Sequence, residues 1–155
     1  MKILIRKAEE NDLAAINIIA QQVHQLHVNL RPDLYLAVDE VISQELFSAW
    51  LTTALVFVGL YQEQIISYAV CFPRVTDHPV MMPRKTLLLD AFGNAVEFQH
   101  CGVGRQMMEY IFDYAKISDY DAVELMVNSK NDNACQFYQH LGLKEKAHFF
   151  EKLLK

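Results

Sequence analysis

The spacing of apolar and polar positions changes period several times along the chain, and each change marks an element. Residues 2–6 alternate as a short strand, and Ala8-Glu9-Glu10-Asn11-Asp12 then offers acidic and capping side chains ahead of a helix. In that helix Leu13, Ile16, Ala20, Val23 and Leu26 or His27 recur at steps of three and four, which turns one face inward. It ends near Arg31-Pro32. A polar, turn-prone stretch, Arg31-Pro32-Asp33-Leu34-Tyr35, leads to a second helix predicted over residues 39–50, with Val41, Ile42, Leu46, Ala49 and Trp50 inward. From Ala54 β-branched and aromatic residues take over. Residues 54–61 and 65–72 read as a hairpin split by Gln62-Glu63-Gln64, and residues 86–92 as a third strand of the series. Residues 73–83, with three prolines, read as a surface loop, and Gly93-Asn94 as a bulge or splay. A helix over 102–116, a strand over 121–127, a short helix over 131–141 closed by Gly142 at its C′ position, and a last strand over 144–154 complete the pattern.

Between the third strand of the series and its crossover helix stands Gln99-His100-Cys101-Gly102-Val103-Gly104-Arg105. Two glycines one residue apart bring bare N–H groups close to a ligand, and the helix start behind them adds the positive end of its dipole, so the loop suits a phosphate. Turns and close helix packing use glycine in the same way, so the loop alone does not establish a ligand. A dinucleotide fold of the G-x-G-x-x-G kind is excluded, because Met107 stands where the third glycine belongs and two helices and a hairpin precede the loop.

Bulk properties narrow the picture. The 155 residues, 52% of them apolar, suit a single domain over 1–155 with a substantial core. The net charge is −5 and the basic residues are scattered, which argues against nucleic acid as a partner. The amino end, Met-Lys-Ile-Leu-Ile-Arg-Lys, is too short in apolar residues for a signal segment, and no apolar run reaches membrane-spanning length. A soluble, cytoplasmic protein without membrane contact is expected. Cys71, Cys101 and Cys135 are too few and too widely spaced for a metal knuckle or a disulfide framework, so reduced thiols and no metal are expected.

Four separated pieces carry a family resemblance: Arg6-x-Ala8 with Asp12, Gln99-x-x-Gly102-x-Gly104, Asn131-x-x-Ala134, and Phe137-Tyr138-x-x-Leu141-Gly142-Leu143. With the order β-α-α-β-β-β-α-β-α-β, the sequence resembles the GNAT N-acetyltransferase superfamily from Arg6 almost to the carboxyl end. The resemblance implies an α/β fold (a mixed sheet of the α+β kind) splayed between its fourth and fifth strands, an acetyl-coenzyme A site in the splay, and transfer of acetyl to a primary amine of a small molecule or peptide. Phe92, Gly93 and Asn94 would hold the thioester and pantetheine arm as a pseudo-strand. Gln99, His100, Cys101, Gly102, Val103, Gly104 and Arg105 would take the pyrophosphate, and Asn131 would reach the arm or, as any asparagine there can, cap the last helix.

The resemblance makes Tyr138 the general acid for the departing thiolate, with Phe137 packing the core beside it. Asp90 is the candidate base; a carboxyl amid Leu87, Leu88 and Leu89 would have a raised pKa if buried, whereas one turned to solvent would be structural. Glu97, His100, His24, His27 and His148 read as surface or packing groups, and a covalent route through Cys101 or Cys135 as disfavoured. His27, Arg31 and Tyr35, in company with His24 and Asp33, are the expected acceptor contacts, helped by the 73–83 loop with Met81 and Met82. Three features depart from the family pattern: the Asn94-Ala95-Val96-Glu97-Phe98 approach, Gln99 in place of the commoner arginine, and room for only one strand after Gly142. An open sheet edge there calls for cover by a loop or, as the expectation here, by a second subunit in a homodimer. The competing function is a non-catalytic acyl-coenzyme A binder.

Overall fold

A computed structural model describes the whole chain, Met1–Lys155. Five strands make one mixed sheet in sequence order: β1 (Leu4–Lys7), β2 (Leu55–Tyr61), β3 (Gln64–Thr76), β4 (Arg84–Asn94) and β5 (Ala122–Leu125). The first four pair antiparallel; β4 and β5 pair in parallel from Thr86↔Ala122 to Leu89↔Leu125. Helices α1 (Leu13–Leu30) and α2 (Gln44–Thr53) cover one face; α3 (Val103–Ile117), the crossover between β4 and β5, and α4 (Asp132–His140) cover the other. Each face has its own core. Ile16, Ile19, Phe47, Val58, Ile66 and Val70 fill the first, and Phe57, Leu87, Met107, Met108 and Ile111 the second.

The entry to α1 is built as the acidic run predicts. A single 3₁₀ turn, Glu10–Asp12, precedes the helix, and the buried Asp12 carboxylate accepts from the Glu9 amide at 2.8 Å and from both terminal nitrogens of Arg6 at 2.7 and 2.9 Å. Arg6 thus clamps β1 to the start of α1. These hydrogen bonds hold the Asp12 carboxyl below its ordinary pKa. On α1 the inward side at its last turns belongs to His27, half-buried, and Leu26 is exposed.

Four expectations are corrected. Helix α2 starts at Gln44 instead of 39, because Ser43 Oγ caps it by accepting from the Leu46 amide at 3.2 Å; the new phase turns Phe47 inward and leaves Leu46 exposed. Strand β3 runs through Pro73 to Thr76, and β4 begins at Arg84, so the surface loop shrinks to 77–83. Pro73 is tolerated there because β2 stops pairing at Leu55↔Cys71, so from Phe72 onward β3 has an open side for a missing N–H. Strand β5 ends at Leu125, short of 127. Finally, residues 144–154 form no strand: they are exposed and make no backbone hydrogen bond.

Candidate functional site

After Leu89↔Leu125 the parallel strands part, since β4 continues to Asn94 while β5 has ended. The side of β4 turned to β5 is therefore bare over residues 90–94. The break coincides with a bulge. Cys71 faces Leu89 and Val70 faces Ala91, which leaves Asp90 unmatched across the ladder. Bulges re-aim side chains, and Asp90 is exposed, turned out from among Leu87, Leu88 and Leu89. Its charge instead reaches Tyr68, whose phenol is pushed up to about 12 by burial first and by Asp90 second.

Beyond Asn94 a 3₁₀ turn, Val96–Phe98, delivers the chain to the glycine loop. His100 and Gly102 adopt φ of 60° and 77°, the left-handed region, and the turn they make aims the amides of residues 100–105 outward at the amino end of α3. Those six amides donate to no backbone carbonyl and no side chain of the protein. Such a row of free donors at the positive end of a 15-residue helix is an anion seat. Arg105 stands exposed beside it, held 3.7 Å from Glu109, while the side chains of Gln99, His100 and Cys101 are exposed and unbonded.

The two glycines differ in what they do. A side chain at Gly102 would meet open space, so its part is the backbone turn. One at Gly104 would stand 3.0 Å from Asn94 Nδ2, 3.2 Å from Phe137 Cζ and 3.5 Å from Phe92 Cζ, so that glycine lets α3 close onto β4 and α4. Phe92 and Phe137 stack at 6.2 Å, and Phe137 meets Tyr138 edge-on at 5.2 Å. Both α4 aromatics are half-buried against the second core, so the expected division into a core phenylalanine and a cleft tyrosine is not drawn sharply. Burial lifts the Tyr138 phenol to about 12, and its hydroxyl has no protein partner. Asn131 caps α4, its Oδ1 accepting from the Ala134 amide at 3.1 Å. Asn94 Oδ1 is sealed and unpaired, as is Ser67 Oγ opposite it in the β3–β4 register. Free amides for a diphosphate and a bare strand edge for a peptide-like arm together fit the expected coenzyme.

On the α1 side, His27 and Tyr35 pack at 5.1 Å, and Arg31 forks onto Asp33 at 2.6 and 2.8 Å and reaches Glu151 at 2.8 Å. Burial and then nearby His24 push His27 below its ordinary pKa, so it is neutral near pH 7. Arg31 in turn draws the Asp33 carboxyl down to about 2. The loop 77–83 with Met81 and Met82 does not join this group. It lies at the opposite end of β4, a length of roughly 30 Å from Asn94 at strand rise.

Two polar residues of α1, Asn17 and Gln21, escaped the sequence reading, and with His24 they form one row. Asn17 bonds both the N–H and the C=O of Ile42 (3.0 and 2.7 Å), Gln21 Nε2 donates to Val38 O at 2.8 Å, and His24 Nε2 lies 2.7 Å from Leu36 O. The signal was present as a polar row at i, i+4 and i+7 on one helix face. No helix is long and apolar enough to cross a membrane, and no three His, Cys, Asp or Glu side chains stand close enough together to hold a metal.

Among curated protein sequences nothing matches significantly. Among solved structures, a mutant of the BH1408 protein from Bacillus halodurans is 29% identical, with 98% of this chain and 99% of that one covered and a TM-score of 0.95. An aminoglycoside acetyltransferase from an uncultured soil metagenomic sample, in complex with sisomicin, shares the fold at 16% identity (99% and 97% covered, TM-score 0.67). So does aminoglycoside N-acetyltransferase AAC(6')-Iy in complex with CoA, at 14% identity (97% and 99% covered, TM-score 0.68). The sequence profile of the acetyltransferase (GNAT) family matches residues 20–143, a span that contains the glycine loop, the parting strands and the closing α4. The chain belongs to the GNAT acetyltransferase family.

Proposed function

We propose that the protein transfers the acetyl group of acetyl-coenzyme A to a primary amine by direct attack. The observation that carries this reading is the row of six unengaged amides at the start of α3, set beside a β4 edge left bare by the end of β5. Acetyl-coenzyme A, when bound, supplies an acyl group activated as a thioester. Amides 100–105 and Arg105 bind its diphosphate, and the bare edge over residues 90–94 orients the arm.

The phenol of Tyr138, at about 12, keeps its proton at neutral pH and is the donor to the departing sulfur as its charge develops. Asp90, exposed at the bulge, takes the proton of the attacking amine through water. The acceptor enters from the α1 side, where His27, Arg31 and Tyr35 gather; Asp33 and Glu151 add negative charge that favours a cationic amine. A nitrogen acceptor is in keeping with the aminoglycoside N-acetyltransferase among the fold neighbours.

The test follows free thiol released from acetyl-coenzyme A across a panel of polyamines, aminoglycosides and peptide amines. Turnover with at least one class is expected, together with a loss of roughly 100-fold in kcat for Tyr138→Phe at unchanged coenzyme affinity. Tight coenzyme binding with no thiol released across the panel would overturn it in favour of a non-catalytic acyl-coenzyme A binder.

A further inference from the structure

A glycine turn is pliant, yet the row of amides at the start of α3 is useful only if it is aimed. Gly102 lies in the left-handed region with φ of 77°, and no atom stands within 4 Å of where its side chain would be. Packing therefore does not hold the peptide that joins Gly102 to Val103. In a trans peptide the C=O and the N–H point in opposite directions, so whatever fixes the Gly102 carbonyl also aims the Val103 amide.

One residue fixes that carbonyl twice. Gln106 donates to it from its backbone N–H and from its side-chain Nε2, both at 3.2 Å. The backbone bond is the first bond of any helix; the side-chain bond is particular to this one. The same carboxamide reaches the amino-terminal segment. Nε2 also donates to the Met1 carbonyl at 2.9 Å, and Oε1 accepts from the Ile3 amide at 3.1 Å. That segment is a firm anchor. Ile3 is buried in the first core, its Cδ1 closes on Gly59 together with Met107 Cε, and β1 pairs with β2 from the next residue, Leu4↔Leu60. Gln106 thus ties the first turn of α3 to residues rooted in the sheet.

We propose that Gln106 is the positioning residue of the anion seat. By pinning the Gly102 carbonyl to the amino-terminal segment, it holds the Val103 amide, and with it the turn that carries amides 100–105, aimed at the diphosphate before the ligand arrives. Both hydrogens of Nε2 and one lone pair of Oε1 are engaged within the protein, so Gln106 acts through the Gly102 peptide instead of touching the coenzyme. A donor array fixed in advance spares the ligand the cost of ordering it. The inference rests on the reading of this loop as the diphosphate site and is independent of the transfer reaction.

Gln106→Met tests it, since methionine keeps the unbranched stem and the helix propensity and removes the side-chain hydrogen bonds. Coenzyme A affinity by calorimetry is expected to fall about tenfold, the scale of one hydrogen bond to a charged group. Pantetheine, which has the arm and no diphosphate, is the control, and its affinity by ligand-observed NMR should not change. In the free protein the order parameter of the Val103 amide should drop from the rigid range, about 0.85, to below about 0.6, with native far-UV circular dichroism. Unchanged coenzyme A affinity, an equal loss for pantetheine, or a Val103 amide as rigid as in wild type would each overturn the inference. None of these readouts needs turnover: a protein that binds coenzyme A and transfers nothing would overturn the reaction alone, and a wild type that binds no coenzyme A would overturn both.

Discussion

Gly93→Ala measures how tightly α1 lies on the sheet beside the parting strands. Gly93 is buried on β4, and its backbone has no positive φ, so alanine suits the conformation. In an open site the change would stabilise, through about 0.8 kcal/mol for a buried methyl and about 0.7 kcal/mol from a stiffer unfolded chain. The site is closed. The added Cβ would stand 2.8 Å from Tyr68 Cε1, 2.9 Å from Val23 Cγ2 and 3.0 Å from Ile19 Cγ2. Those last two are stiff β-branched methyls of α1, and Tyr68 is only 4% exposed, so the helix must lift.

Overpacking of this kind costs roughly 1–3 kcal/mol and outweighs the gains, for an expected net loss of about 2 kcal/mol, or about 4–8 °C in Tm at this chain length. Urea titration followed by Trp50, the only tryptophan, reads it directly. Gly59→Ala is the control. Its Cβ would meet the flexible ends Ile3 Cδ1 at 3.0 Å and Met107 Cε at 3.3 Å, which can swing aside, and only one fixed atom, Ser67 Cβ at 3.2 Å, so a smaller loss of about 1 kcal/mol is expected. Val23→Ala should rescue Gly93→Ala in part. An unchanged or raised midpoint for Gly93→Ala, or a larger loss at Gly59, would refute the reasoning.

Other outcomes follow from features of the loop and the cores. Gly102→Ala should cost about 1 kcal/mol of stability for its φ of 77° and weaken coenzyme A binding in calorimetry, with Gly102→Asn milder on both counts. Asp12 has a folded pKa below its unfolded value of about 3.9, so its contribution is present above that pH and is lost as pH falls through the folded value. The urea midpoint of Asp12→Asn should therefore lie well below wild type at neutral pH, with the gap narrowing in acid. Maleimide labelling read by mass spectrometry should modify Cys101 first and Cys135 more slowly, leaving Cys71, buried and with its thiol pushed up to about 12, untouched until unfolding; coenzyme should protect Cys101.

The elements whose periodicity is set locally were legible in the sequence: α1, the β2–β3 hairpin, α3 and the Gly142 stop all stand within a few residues of their expected limits. What sequence could not supply depends on partners distant along the chain. Pro73 looked like a loop residue because its tolerance rests on where β2 stops pairing, and whether Asp90 is buried or turned to solvent stayed open because the bulge that turns it out is a register fact. The stretch 144–154 has strand-like composition but no ladder within its own chain, a difference that composition cannot express. Asn94 and Phe92 were placed at the coenzyme site by resemblance; that they also receive the bare face of Gly104 depends on how α3 closes onto β4, which no local pattern encodes.

The row formed by Asn17, Gln21 and His24 grips the connection between the helices by its main chain, at Leu36, Val38 and Ile42, while residues 36–40 are exposed. Backbone is common to all residues, so the grip is indifferent to what residues 36–40 are. The scaffold and the lettering of its acceptor loop are thereby uncoupled: those side chains can be rewritten, by selection or in the laboratory, to suit a different acceptor without reopening the core beneath them.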